Sequence, residues 1–577
     1  MLTITPAMQR YVTDGVTPAM GTYTVTAQYP DGRTDDVTTQ VTYMLEPFGL
    51  GSITQGKYTS SIDTGGVGRL TATLGAASAV AGLELVIQKR FVDPSAGSIG
   101  VDPGSKFTGA PMASRAPDLV YPNDGVLLPP NVDNIEVHFL PGQGNTVFEL
   151  TFESPRADVK VYLGCTQPTN GGCIYQPPPA VWRSVANTNR GGDPVKISLK
   201  GADAMGMSMG ASTPINVSFS QDEVRGGLYY WSTTLRSIMR FDFAKAQQQA
   251  TKFVDGAPTG NAGTCIGCHA LSRDGKRMVI EIEGAFDGRI AILDVASKMN
   301  IVPFPAMAKS FFSSWAPDNL RFVGVDDRGS DFNLRIIDSM TGMVTQSIPN
   351  TGTEDRAANH PDWSADGNTI VYAAVQRKGP AGRSLQWATN GGIRMVQLSN
   401  AAWSAPIEIA PVVNGKHRYY PAIAPSSDYV VFNESTCPQG STEGFDCDSD
   451  ADPDAALIAA KLTANAVLVP LAAANRPGKR DNNQTRLTNS YPKWSPFNFR
   501  RTAETSSKLQ WLTFSSKRAY GLRVRSDLMW LWMVGVDPSK LENGEDPSYS
   551  AFCLPFQDFS TSNHIAQWTE EVPPDIQ

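Results

Sequence analysis

One short pattern returns five times between residues 272 and 514, and a repeat at such spacing limits the architecture more than any local propensity does. The copies cover residues 272–280, 314–322, 361–372, 421–432 and 492–497, the last with its strand delayed to 509–514. Each couples a polar turn, as in Ser272-Arg-Asp-Gly-Lys-Arg, to a run such as Met-Val-Ile280. Aligned on Ser272, Ala316, Ser364, Ala424 and Ser495, they step by 44, 48, 60 and 71 residues. A step in the forties suits a four-stranded blade packed around an axis, and the longer steps require inserted loops. Two further strands, at 226–232 and 237–242, precede the first copy and predict a sixth blade. Residues 223–577 are therefore expected to form a six-bladed β-propeller, closed by strands from both ends of the domain, with 528–534 as the C-terminal contributor.

Ahead of the repeats, alternating runs such as Tyr23-Thr-Val-Thr-Ala-Gln-Tyr29 and Gly68-Arg-Leu-Thr-Ala-Thr-Leu74 have the period-2 pattern of half-buried strands. Over residues 1–95 this segment resembles bacterial immunoglobulin-like domains of the group 2 type, which implies a spacer or adhesion module. A linker rich in Pro, Ala, Ser and Gly (93–122) leads to a second β-sandwich at 115–222, with strands expected at 134–140 and 158–163. Cys165 and Cys173 flank Thr-Asn-Gly-Gly, a turn that can bring two strand ends together, so a local disulfide is expected. The fold class is thus all-β: two N-terminal β-sandwich domains, then a propeller.

Cys265-Ile-Gly-Cys-His269 has the spacing by which two thiols add to haem vinyl groups while the adjacent His ligates iron. Zinc would want two further Cys or His ligands at short spacing, and a redox C-x-x-C would want a βαβ setting; neither is present. The repeat alignment equates Cys268 with Phe312, His360, Tyr420 and Tyr491. These positions are expected to ring the axis on one face, where aromatic walls suit a flat macrocycle. In these residues the chain looks like exported TolB-type propeller cytochromes, which carry C-x-x-C-H directly upstream of a Ser-x-Asp-Gly blade motif. A related haem-in-propeller arrangement occurs in the alpha subunit of hydrazine synthase; the single haem motif here supports a cytochrome and not hydrazine chemistry. The resemblance implies one covalent haem c held by Cys265, Cys268 and His269.

Four other histidines compete for the sixth iron position: His138, His360, His417 and His564. His564 is preferred because its segment resembles the ending of those cytochromes and is expected to be a tail free to fold over the axial mouth; His417 is next. Asp446, Asp448, Asp450, Asp452 and Asp454 alternate along one loop, an arrangement that could turn carboxylates onto Ca2+, although the glycine of an EF-hand turn is absent. Cys437 and Cys447 flank that loop and are expected to pair, leaving Cys553 as a buried odd thiol. The Met205-Gly-Met-Ser-Met209 cluster is read as a loop with packing methionines.

A net charge of -7 with scattered Lys and Arg argues against nucleic acid as a partner, and no apolar run is long enough to span a bilayer. Haem attachment and disulfides both belong to an exported compartment. The expected function is monohaem electron transfer in the periplasm or at the outer surface, with a redox partner protein or another cytochrome. The alternatives are a haem enzyme with an open iron position, or a surface scaffold assembling through its sandwiches.

Overall fold

The computed structural model describes the whole chain except residues 166–167, 246–248, 284–287, 327–329, 377–388, 437–451, 482–486, 526 and 575–577. The chain divides into two units, Met1–Glu223 with Arg501–Thr505, and Val224–Arg500 with Ser506–Gln577.

In the first unit the alternating runs become strands Thr24–Gln28 and Gly66–Leu74, each burying every second residue. The sixteen-residue strand Ala77–Val92 serves three partners, one of them Met8–Thr13, which runs parallel to its middle. Its first half pairs with Gly66–Leu74 and its last residues run parallel to Ala157–Gly164. One sheet therefore continues from the first β-rich segment into the second. The stretch expected to be a linker is packed instead, because Ala96, Ile99 and Phe107 join Val147 and Tyr162 in a small core. Cys165 and Cys173 form the expected disulfide across Asn170 and Gly171, both at positive φ as a tight hairpin turn requires. Within this β framework the sequence reading missed one helix, Pro179–Thr188, whose Trp182 sets its ring 5.6 Å from Phe219 and 6.1 Å from Phe152.

The second unit is a ring of six sheets. Their innermost strands are Asn563–Thr569, Ile266–Leu271, Ser313–Trp315, Arg356–Trp363, His417–Ile423 and Ser490–Trp494, and each neighbours the next around the closed circle. This is a six-bladed β-propeller, numbered here from the blade built on Asn563–Thr569. Cores between blades explain why the second strands lack alternation: in Arg277–Ile282, Met278 and Ile280 face blade 1 while Val279 faces blade 3. The polar turns hold as the repeat implied, since the Ser272 hydroxyl donates to Asp274 at 2.7 Å and accepts the Arg277 N–H at 2.9 Å, with Gly275 at φ +70°.

The ring closes with strands from both ends of the domain, as expected, but the C-terminal contributor is a different strand. Trp530–Val536 is the third strand of blade 6, and the closing strand is Asn563–Thr569, paired antiparallel to Gly227–Ser232. The segment holding His564 is thus not a tail over the mouth but the inner strand of blade 1. It is placed there because Ile565, Ala566 and Trp568 are apolar and buried, and Gly227–Ser232 would otherwise present a bare edge towards the axis.

Candidate functional site

The site grows from a repeated defect in the inner strands. In five blades two residues face one across the ladder: 267–268, 360–361, 420–421, 491–492 and 565–566. Three of these bulges place Pro second, where the missing N–H costs no ladder bond. The first residue of four bulges takes positive φ: His360 (+45°), Tyr420 (+46°), Tyr491 (+53°) and Ile565 (+49°). For bulky or β-branched residues this is a strained conformation, of the kind that concentrates at binding sites.

The bulges bring the expected ring residues together. Phe312 meets His360 edge-on at 4.4 Å, His360 lies 3.8 Å from Tyr420, and Tyr420 lies 4.2 Å from Tyr491. The Tyr420 hydroxyl donates to that of Tyr491 at 3.3 Å. Cys268 packs against the same cluster, which Ile565 completes from blade 1. Ile565 was not read from the sequence, although Trp568-Thr569 repeats the Trp-Ser of Trp363-Ser364 and Trp494-Ser495 at the same distance from the ring position. The cavity these residues line has a free volume of about 40 Å³. Lys493, Glu281 and His269 also line it.

Downstream along the axis the channel becomes polar. Lys493 Nζ stands 3.7 Å from Asp362, whose carboxylate also accepts the Ser314 hydroxyl at 3.0 Å and the Ile423 N–H at 2.7 Å. Arg273 reaches from blade 2 to blade 4 and donates to the Trp363 carbonyl at 3.1 Å. Both side chains line a second cavity that shares Lys493 and Gln567 with the first.

The five histidines have separate places. His269 is buried, and its Nε2 donates sideways to the Tyr229 carbonyl of blade 1 at 3.3 Å. Burial pushes it down to about 4. Its Nδ1 lacks a hydrogen-bond partner. His360 is 3% exposed, its Nδ1 accepts the Tyr420 N–H at 3.5 Å, and its Nε2 has no partner. Burial, with the Lys493 charge, lowers its pKa well below the usual imidazole range. His417 accepts the Asn390 N–H on Nδ1 at 2.9 Å. His564 bonds the Ser562 hydroxyl at 3.0 Å, with its ring 5.8 Å from Trp231 and 6.1 Å from Tyr491. Neither His417 nor His564 lines the axial cavity. His138 lies in the first unit and bonds Glu136 at 2.7 Å.

Cys265 and Cys268 are partly exposed thiols in no disulfide, as covalent attachment at this pair requires. The aromatic ring beside Cys268 would give a macrocycle an apolar seat. The cavity inside the ring is too small to admit one, so the group would have to sit outside the ring. For His269 to reach an iron through Nε2, its bond to the Tyr229 carbonyl must be released. The thiols and the aromatic wall therefore fit a haem, and the histidine fits after turning.

Among the described residues no group of three or more His, Cys, Asp or Glu could hold a metal ion. Asp446, Asp448, Asp450, Cys437 and Cys447 lie outside the described residues; Asp452 is buried and accepts the Asp454 N–H at 2.9 Å. Cys553 is buried. Met205 and Met207 are exposed on a loop whose backbone N–H groups are gathered by Asp203. No helix among the described residues is long and apolar enough to cross a membrane.

No family model and no curated protein matches the chain. Among solved structures, it is similar to TolB from Acinetobacter baumannii at 12% identity, covering 66% of this chain and 80% of that one with a TM-score of 0.34. A putative TolB from Agrobacterium tumefaciens matches at 16% identity, covering 42% and 88%, with a TM-score of 0.28. Kuenenia stuttgartiensis hydrazine synthase matches at 14% identity, covering 49% and 93%, with a TM-score of 0.28. At TM-scores this low no residue role is carried across from them, and the six-bladed propeller rests on the closed ring of inner strands described above.

Proposed function

We propose that the chain is a monohaem c-type cytochrome that works outside the cytoplasm, with one haem c attached through Cys265 and Cys268. The observation that carries this reading is the place of the C-x-x-C-H segment, which sets Cys268 against the aromatic cluster at one end of the propeller axis with His269 next to it. A bound haem c supplies one-electron exchange. The chain's own residues hold it by two thioethers, shield one side with Phe312, His360, Tyr420 and Tyr491, and bring His269 beside the attachment point. The partner is a redox protein or another cytochrome, and the β-sandwich unit serves as a spacer.

Spectroelectrochemical titration of the purified, exported protein tests this. The expected result is one reversible one-electron couple with the optical change of a haem. A protein that carries haem and cannot be cycled between oxidation states would contradict electron transfer.

A further inference from the structure

We infer that the axial cavity binds a small uncharged molecule with a hydrogen-bond acceptor, and that His360 is the donor that orients it. This deepens the haem reading and rests on it for its probe. A backbone N–H can only donate, so the Tyr420 N–H at 3.5 Å from Nδ1 favours the tautomer with its proton on Nε2. That N–H lies on the cavity wall, in a side chain 3% exposed, with no acceptor from the protein. A buried donor left without an acceptor is destabilising, and this one is understandable if a ligand completes it.

The cavity thus offers one hydrogen-bond donor, the Nε2–H of His360. Its free volume of about 40 Å³ leaves room for a small molecule. Charge favours a neutral occupant. Lys493 is matched by Asp362 at 3.7 Å, so its charge is satisfied without an anionic occupant.

Carbon monoxide is a suitable probe, being uncharged, diatomic and reporting hydrogen bonding through its infrared stretch. The reduced, haem-bearing protein should bind it. In His360→Phe, which keeps a flat ring and removes the donor, the stretch should move to higher frequency and carbon monoxide should leave about tenfold faster, the worth of one lost hydrogen bond. His360→Gln, which retains an N–H donor, should restore the wild-type band. In unaltered protein, exchange into D2O should shift the band, a readout that survives if a variant fails to fold. Haem-bearing protein that binds no carbon monoxide, or whose band ignores both D2O and His360→Phe, would overturn the inference while leaving the haem reading intact. Wild-type protein with no haem absorption at all would defeat both.

Discussion

His360 and His564 show how much a single position can mislead or inform. Both were candidates for the axis; one is seated in the ring with a bare Nε2, while the other spends Nε2 on Ser562 and turns its ring towards Trp231. His564→Ala should therefore leave the oxidised haem spectrum unchanged, and conversion to a different spin state would place His564 on the iron after all. A second residue-scale test concerns the indoles that clamp neighbouring blades. Trp315 donates to the Ala270 carbonyl and Trp494 to the Ala422 carbonyl, each at 2.9 Å and at the same place in the repeat. Trp494→Phe should lower stability by about 1 kcal/mol, the worth of one buried hydrogen bond, measured by denaturant unfolding; an unchanged midpoint would show that the clamp is idle. The ring residues Phe312, His360, Tyr420 and Tyr491 were legible because each stands four places before a motif residue the repeat had already aligned. The direction of His269 was not, since a bulge at Gly267 and Cys268 decides which way the next side chain points, and a bulge of that kind is set by pairing partners distant in sequence.

Among the elements, what could be read was what is local. The Cys165–Cys173 link was readable because Asn170 and Gly171 make the turn themselves. Replacing both cysteines with Ser should destabilise the first unit by about 2 kcal/mol, given the short loop that the bridge closes; thermal unfolding with no loss would contradict a structural role. Strands buried on one face announced themselves by alternation. The helix Pro179–Thr188 had its own signal, Pro at the first turn followed by Val181, Trp182, Val185 and Ala186 on one face, yet its β surroundings masked it. The stretch 93–122 looked like a linker from composition alone. Only Phe107 and Ile99, sparse apolar residues among Gly and Pro, mark it as packed.

At the scale of the whole molecule, the five repeats and the two strands ahead of them specified six blades but not which strand shuts the circle. The closing strand Asn563–Thr569 lies after the last strand of blade 6 and pairs with residues more than three hundred positions earlier, information that no window of sequence contains. Deleting residues 563–577 should leave blade 1 without its inner strand and remove Ile565 from the ring, so the propeller's cooperative thermal transition should broaden or vanish. A full-length-like melt in the truncated protein would mean that the ring closes another way. The central claim is that this ring carries a covalent haem, and intact mass spectrometry of denatured, exported protein tests it most directly. The account predicts the polypeptide mass plus one haem, with the addition on the peptide containing Cys265 and Cys268 and absent when both are replaced by Ser. A mass equal to that of the bare polypeptide would contradict it.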